Sequence, residues 1–208
     1  MPGSQRLAEQ LRRPSGLYGR VIGRKLARWN AAENAFVLEL LEVGRGDTVL
    51  EIGFGPGEAV HAAAAALASG GRVIGVDHSP TMLARARRRN AAAIRDGRVE
   101  LLLGSADRLP LPDETADRAL AVNVIYFLDD PVAAFREWRR VLRPDGRLAV
   151  FLGHRDDMTG RLFEQTGVFN RSTGEETASR LIEAGFRCAS HETRSFDGQR
   201  GICVIAER

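Results

Sequence analysis

Short apolar runs alternate with helical patterns along most of the chain. Such alternation predicts a parallel β-sheet with helices on both of its faces. The apolar runs predicted as strands are residues 48–52, 72–76, 99–103, 118–123 and 147–152. Capping signals mark the helices between them, because Ser79, Asp130 and Thr173 each stand where a side-chain oxygen can accept from a first turn.

The last two apolar runs, residues 186–196 and 200–206, are joined closely through Asp197-Gly198. This dipeptide is a strong signal for a tight hairpin. We therefore predict a Rossmann-like, doubly wound α/β fold. Its sheet has seven strands, is mostly parallel and ends in a C-terminal antiparallel hairpin.

A helical pattern precedes the sheet over about residues 16–43. In its first part the apolar face consists of Leu17, Val21, Ile22, Leu26 and Trp29. A second helix, predicted to stop at Gly44, has an apolar face of Phe36, Val37, Leu40 and Leu41. Because an apolar stripe needs a partner surface, we predict that residues 1–43 form N-terminal lid helices. Residues 44–208 would be the catalytic domain of a single compact unit.

The positive charge of the chain is concentrated in the N-terminal segment. The formal net charge is +3, yet residues 1–30 alone carry seven basic side chains and one acid. Of the 30 basic residues only Lys25 is a lysine. Such a bias toward arginine, beside much alanine and glycine, is typical of GC-rich coding. It does not indicate a phosphate-binding face, so we expect no nucleic-acid partner.

The cysteines and the N-terminus point to a cytoplasmic protein. Cys188 and Cys203 lie far apart in apolar, strand-like segments, and we expect both to be small buried hydrophobes. The first ten residues are polar and lack the apolar stretch of a signal peptide. No uninterrupted apolar run approaches the roughly 18 residues of a membrane span.

The strongest candidate for chemistry is the segment EIGFGPG, residues 51–57, directly after a strand and directly before a helix. Glycines there let the backbone pass close to a ligand and turn sharply. Asp77 stands 24 residues beyond Gly53, at the tip of the next strand. A carboxylate in that place accepts hydrogen bonds from ribose hydroxyls. The pattern predicts a nucleoside cradle, with Asp77 at an open cleft.

The glycine spacing separates this loop from the dinucleotide fingerprint, in which the third glycine follows the second by three residues. Here Gly57 follows Gly55 by two. Glu51, just ahead of the loop, would repel a pyrophosphate but is compatible with the ammonium and sulfonium charges of S-adenosylmethionine. The loop therefore favours S-adenosylmethionine over NAD.

An ordered set of motifs resembles the class I S-adenosylmethionine-dependent methyltransferases. VLEIGFGPGE (49–58) resembles their first motif and VIGVDHSPTML (73–83) their second. Residues 104–131 are similar to the third and fourth, and VLRPDGRLAV (141–150) leads into the fifth strand. The match covers about residues 44–153 and is most similar to the small UbiE/type 11-like group.

This resemblance implies S-adenosyl-L-methionine as methyl donor, S-adenosyl-L-homocysteine as product, and no metal. The residues that it assigns to the methionine end of the donor are Glu51, Gly53, Gly55 and Gly57. Asp77 would bind the ribose and Asn123 would face the reacting centre.

The adenine is assigned to residues of the second and third motifs. His78 and Met82 would flank the ring, although Met82 is equally consistent with a core residue. Asp107, with the backbone of Ala106, would recognise the amino group. The alternative for Asp107 is a solvated acid in a loop.

Two candidates for catalysis follow strands four and five. His154 is the best candidate for a general base, because it follows the fifth strand and should lie on the rim of the same cleft. Tyr126 would hydrogen-bond an acceptor. Each has an alternative role in packing or at the rim. Tyr18, beside the N-terminal apolar stripe, would reach the donor's carboxylate or the acceptor.

The expected function is methyl transfer to an O, N or C nucleophile of a small molecule. Residues 123–126 lack both prolines of the N-P-P-Y motif of nucleobase amino-methyltransferases, and the two cysteines lie in the terminal hairpin, unlike those of arsenic methyltransferases. Two alternatives stay open: a methyltransferase whose basic N-terminal segment docks RNA or a peptide, and a non-catalytic protein that binds S-adenosylmethionine. The sequence does not fix the oligomeric state, so a homo-oligomer is also open.

Overall fold

The computed structural model describes residues 31–67, 70–158 and 171–208. The strands are β1 (Thr48–Ile52), β2 (Arg72–Asp77), β3 (Val99–Leu103), β4 (Ala116–Val122), β5 (Leu142–Gly153), β6 (Cys188–Phe196) and β7 (Gln199–Glu207). The helices are α1 (Ala31–Leu41), α2 (Glu58–Ala66), α3 (Pro80–Arg89), α4 (Ala91–Arg95), α5 (Pro131–Val141) and α6 (Gly174–Glu183), with a 3-10 turn at Ile125–Phe127.

All seven strands form one sheet in the order β3-β2-β1-β4-β5-β7-β6. The first five are parallel, and β7 is antiparallel to both of its neighbours. Asp197 and Gly198 take positive φ values in the turn between β6 and β7, as a tight hairpin requires. The predicted fold class is confirmed.

The predicted helix caps of α3, α5 and α6 are also present. Ser79 accepts from the backbone N–H of Met82, and Asp130 accepts from that of Ala133. Thr173 and Glu176 form a reciprocal capping box. These bonds satisfy N–H groups that have no partner inside the helix, and they fix where each helix leaves the edge of the sheet.

Strand β5 begins five residues earlier than predicted. Leu142 pairs with Ala116, whereas Arg147 pairs with Arg118, so an advance of five residues along β5 lies opposite an advance of two along β4. Such a bulge hides the strand start from a period-two pattern. The sequence at 143–146 contains Pro and Gly, which are turn signals when seen alone.

Two hydrophobic clusters fill the two faces of the sheet. One packs α5 and α6, with Phe135, Trp138 and Leu181 fully buried. The other packs α1, α2 and α3 and includes Phe36 and Val60. Helix α1, which the sequence placed in the lid segment, thus contributes to the core. Residues 1–30 lie outside the described residues, so the lid stays a prediction.

The cysteine prediction is right for one residue and wrong for the other. Cys203 on β7 is fully buried, and this burial raises the pKa of its thiol to about 12. Cys188 is exposed, because it begins β6, the strand at the edge of the sheet. In the described ranges, no helix has the length and apolar character needed to cross a membrane.

Candidate active site

The sheet reverses its strand order between β1 and β4. Strands β2 and β3 lie on one side of β1, and β4 and β5 lie on the other. Open α/β sheets bind ligands in the crevice beyond the carboxyl ends of the strands at such a point. The loop of residues 53–57 and Asn123 both lie there. Gly53 packs against the residue that follows Asn123, because a Cβ added to Gly53 would come within 2.5 Å of Val124 Cγ2.

The glycines of this loop meet different structural requirements. All three take positive φ values, from 50° to 81°, which side chains rarely adopt. A Cβ on Gly57 would lie 2.7 Å from Ala86 Cβ and 2.8 Å from Asn90 Nδ2, so Gly57 lets α2 pack on α3. A Cβ on Gly55 would meet none of the described atoms within 4 Å. Gly55 is therefore the glycine that leaves the backbone open to a ligand.

Glu51 has a buried carboxyl group, and only one of its two oxygens has a hydrogen-bond partner among the described residues. Its side chain is 4% exposed, and it accepts a hydrogen bond from the backbone of Val60. Its Oε2 has no hydrogen-bond partner among the described residues. Burial, and then the nearby Asp77, raise the pKa of Glu51 well above its ordinary value. An unsatisfied buried oxygen is costly, and a cationic ligand group such as an α-ammonium would supply the missing partner.

Asp77 is buried, so the prediction that it stands at an open cleft is wrong. It is 7% exposed, and its carboxylate accepts from the backbone N–H groups of Gly55, at 2.8 Å, and Ser79, at 2.7 Å. Burial raises the pKa of Asp77, and these two hydrogen bonds oppose that rise. Asp77 thereby ties the glycine loop to the turn between β2 and α3. Asp77 ends β2 at the carboxyl edge of the sheet, next to the crevice.

The residues assigned to the adenine divide into exposed and buried ones. The side chain of His78 is 43% exposed, with Nδ1 3.9 Å from Asp77 Oδ1. Met82 is only 1% exposed and belongs to the core, which favours its packing role. Asp107 is exposed in the loop after β3. This position is compatible with adenine recognition and with a solvated acid in a loop. The carbonyl of Ala106 accepts from Trp138 Nε1 at 2.6 Å.

Asn123 is the centre of a polar cluster at the ends of β4 and β5. Its backbone takes a φ of 59°, a conformation that asparagine tolerates better than most residues. The side chain donates to Glu33 Oε2 at 3.3 Å and accepts from the Tyr126 hydroxyl at 3.1 Å. The same hydroxyl accepts from the backbone N–H of Gly153. This cluster links α1 to the tips of two strands.

Tyr126 holds this cluster in place. It is buried, and burial raises the pKa of its hydroxyl above the ordinary value. With one hydrogen bond donated to Asn123 and one accepted from Gly153, the hydroxyl is engaged within the protein. These bonds favour a positioning role over direct contact with an acceptor.

Glu33 is the residue of the cluster that sequence analysis missed. Burial raises its pKa to about 7, against the lowering effect of the hydrogen bond from Asn123. A signal for it existed: Glu33 shares the spacing of Phe36, Val37 and Leu40, so it stands on the apolar face of α1. A carboxylate on the apolar face of a helix is a candidate functional residue.

His154 is not brought together with these residues. Its imidazole lies in a groove of 180 Å³ that it shares with Thr173 and Glu175 at the start of α6 and with His191 and Ile202 of the hairpin. Neither the glycine loop nor Asp77 nor Asn123 lines that groove. Within the described ranges, no group of three or more His, Cys, Asp and Glu side chains is arranged to hold a metal.

The position of His154 leads to a prediction. We expect His154→Ala to keep its rate of methyl transfer within about threefold of the wild type, because the imidazole lies in a separate groove. Steady-state rates with labelled donor measure this directly. A loss of about 10²-fold or more would restore His154 as the general base.

Comparison with known proteins agrees with this geometry. A family profile described as a methyltransferase domain matches residues 50–150. The uncharacterized methyltransferase YdaC of Bacillus subtilis is 26% identical over 188 residues, 90% of this chain and 98% of YdaC. The ubiquinone/menaquinone biosynthesis C-methyltransferase UbiE of Enterobacter sp. strain 638 is 33% identical over 117 residues, 55% of this chain and 46% of that protein.

A likeness in fold extends over nearly the whole chain. The crystal structure of a SAM-dependent methyltransferase from Aquifex aeolicus superposes with a TM-score of 0.74 at 22% identity, covering 90% of this chain and 97% of that one. Several other curated relatives are longer, and this chain spans 36% to 65% of their length. A methyltransferase domain thus matches residues 50–150, and the ordered motifs, the strand order and these similarities all support a class I S-adenosylmethionine-dependent methyltransferase.

Proposed function

We propose that this protein transfers the methyl group of S-adenosylmethionine to an O, N or C nucleophile of a small molecule. The observation that carries the donor site is the buried carboxyl group of Glu51, whose Oε2 has no hydrogen-bond partner among the described residues and which stands just ahead of the loop that Gly55 leaves open. Glu51 would pair with the donor's ammonium, and Asp77 would accept from its ribose hydroxyls. The donor supplies a methyl group on a positively charged sulfur.

Two features support a small acceptor. Asn123 and Glu33 present a compact polar cluster of two side chains at the crevice, and the groups that fix it are buried behind them. The similar UbiE protein is named for the biosynthesis of ubiquinone and menaquinone, which are neither nucleic acids nor proteins. Because positive charge disperses in the transition state of methyl transfer, positioning and exclusion of water would contribute much of the catalysis.

Calorimetry tests the donor site. We expect micromolar binding of S-adenosylhomocysteine and no binding of NAD, because Gly57 follows Gly55 by two residues and not by the three of the dinucleotide fingerprint. Binding of NAD without binding of S-adenosylhomocysteine would contradict the proposal.

A screen then tests the acceptor class. The full chain is incubated with donor labelled on the methyl group and with pools of metabolites, RNA or peptides, and products are read by mass spectrometry. Label in small molecules alone supports the proposal. Label in RNA or peptides would favour docking by the basic N-terminal segment. Donor binding without transfer to any pool would favour a non-catalytic role.

A further inference from the structure

Glu33 is a partly buried carboxylate at the crevice to which donor binding gives no role. Its Oε2 lies 3.3 Å from Asn123 Nδ2, at the tip of the strand that faces the glycine loop. Asn123 is itself held on three sides, by the Tyr126 hydroxyl, by its backbone bond to Phe151 and by Glu33. The carboxylate is thus fixed beside Asn123, at the carboxyl end of β4, where the strand order reverses.

Helix α1 holds Glu33 at this position. Phe36 and Val37 are buried, and the Phe36 ring packs edge-on against Phe151 of β5, with centroids 6.5 Å apart. The guanidinium of Arg194 lies 4.0 Å above the same ring. These contacts anchor the helix one turn beyond Glu33, so the carboxylate is set by the core of the domain.

The charged groups on neighbouring elements are occupied by other partners. Arg147 of β5 pairs with Glu42, Arg194 of β6 pairs with Glu39, and Glu58 of α2 pairs with Arg89. His61 of α2 lies in a groove beside α3 and α4, and Glu51 is bonded to the backbone of Val60. Within the described ranges, no cationic side chain forms an ion pair with Glu33. Among the described residues, Asn123 is the side chain that donates a hydrogen bond to the Glu33 carboxylate.

We propose that Glu33 is the general base that takes the proton of the methyl acceptor, an inference that rests on the proposed function. The acceptor's O–H, N–H or C–H group loses its proton to the Glu33 carboxylate. Its electron pair forms the new bond to the methyl carbon, and the carbon–sulfur bond breaks with its pair left on sulfur. The products are the methylated acceptor, S-adenosylhomocysteine and protonated Glu33, which returns its proton to water.

Burial suits Glu33 to this role. With a pKa raised by burial to about 7, the carboxylate is partly ionised near neutral pH and is a stronger base than an exposed glutamate. Tyr126, a titratable residue that interacts with Glu33, stays neutral there because burial raises the pKa of its hydroxyl. The rate of methyl transfer should therefore rise with pH through about 7 and then level off.

The test compares Glu33→Gln with Glu39→Gln, a matched change on the exposed side of the same helix. The acceptor probe is the small-molecule fraction of a bacterial extract, with tritiated donor. We expect Glu33→Gln to lose about 10²- to 10⁴-fold in rate and to lose the rise through pH 7. Glu39→Gln should stay within about twofold, because it weakens the exposed ion pair with Arg194 but leaves Phe36 and Val37 buried in the core. Affinity for S-adenosylhomocysteine should be unchanged in both.

A second readout needs no turnover. An acid whose pKa is raised in the folded state stabilises least once pH exceeds that pKa, so the melting temperature of the wild type should fall between pH 5 and pH 8. Glu33→Gln should fall less. If the melting temperature of Glu33→Gln falls as much as that of the wild type between pH 5 and pH 8, Glu33 does not bind a proton in the folded protein over this range.

The outcomes separate this inference from the proposed function. Transfer by the wild type with an unchanged rate in Glu33→Gln overturns the base alone. A loss of S-adenosylhomocysteine affinity in Glu33→Gln also overturns it, because the carboxylate would then hold the donor. Absence of transfer by the wild type, despite donor binding, overturns both proposals.

Discussion

Replacing Asp77 by alanine is expected to weaken the binding of S-adenosylhomocysteine by about 30- to 150-fold. This is the cost of losing charge-assisted hydrogen bonds worth about 2–3 kcal/mol. Calorimetry on the folded variant measures it. An unchanged Kd would show that the carboxylate does not hold the ribose.

The same variant should also lower the stability of the ligand-free protein. Asp77 is buried and accepts from the N–H groups of Gly55 and Ser79, and each N–H left without a partner costs about 1 kcal/mol or more. A drop of several degrees in melting temperature is therefore expected. Asp96→Ala, at an exposed turn beside α4, is the control and should change neither quantity. The open position that the sequence predicted for Asp77 would instead leave the melting temperature of Asp77→Ala almost unchanged.

Replacing Glu51 by glutamine is expected to weaken donor binding by about 10- to 150-fold, because a charge-assisted bond to the ammonium contributes about 1.5–3 kcal/mol. The same variant should be more stable than the wild type toward unfolding at neutral pH, although it binds the donor more weakly. Burial raises the pKa of Glu51 in the folded state, so its contribution to stability is largest below the pKa of the unfolded chain. That contribution is lost as pH rises toward the folded pKa. The neutral amide avoids this loss.

The melting temperature of Glu51→Gln should therefore rise relative to that of the wild type as pH increases from 5 to 8. In the wild type, binding of the ammonium favours ionised Glu51, so binding should release a proton. Calorimetry in buffers of different ionisation enthalpy detects this release, which Glu51→Gln should lack. Equal proton release in both proteins would contradict the pairing of Glu51 with the ammonium.

The sequence by itself determined the parts of this protein that depend on local backbone and periodicity. The caps at Ser79, Asp130 and Thr173 are made between residues three apart. The hairpin depends on the two residues of its turn, Asp197 and Gly198. Strand and helix alternation, with the glycine spacing after β1, then sufficed for the fold class and the donor. Each of these signals lies within a few residues of the structure that it specifies.

Only the tertiary structure decided which distant residues meet. Glu33 and Asn123 are 90 residues apart and share a hydrogen bond because α1 crosses the tips of β4 and β5. Cys188 is exposed because β7 lies between β5 and β6, which leaves β6 at the edge. His154 follows β5, yet it faces the groove beside α6. Burial and orientation at a strand end depend on the neighbouring strands and helices, and a linear pattern does not contain that order.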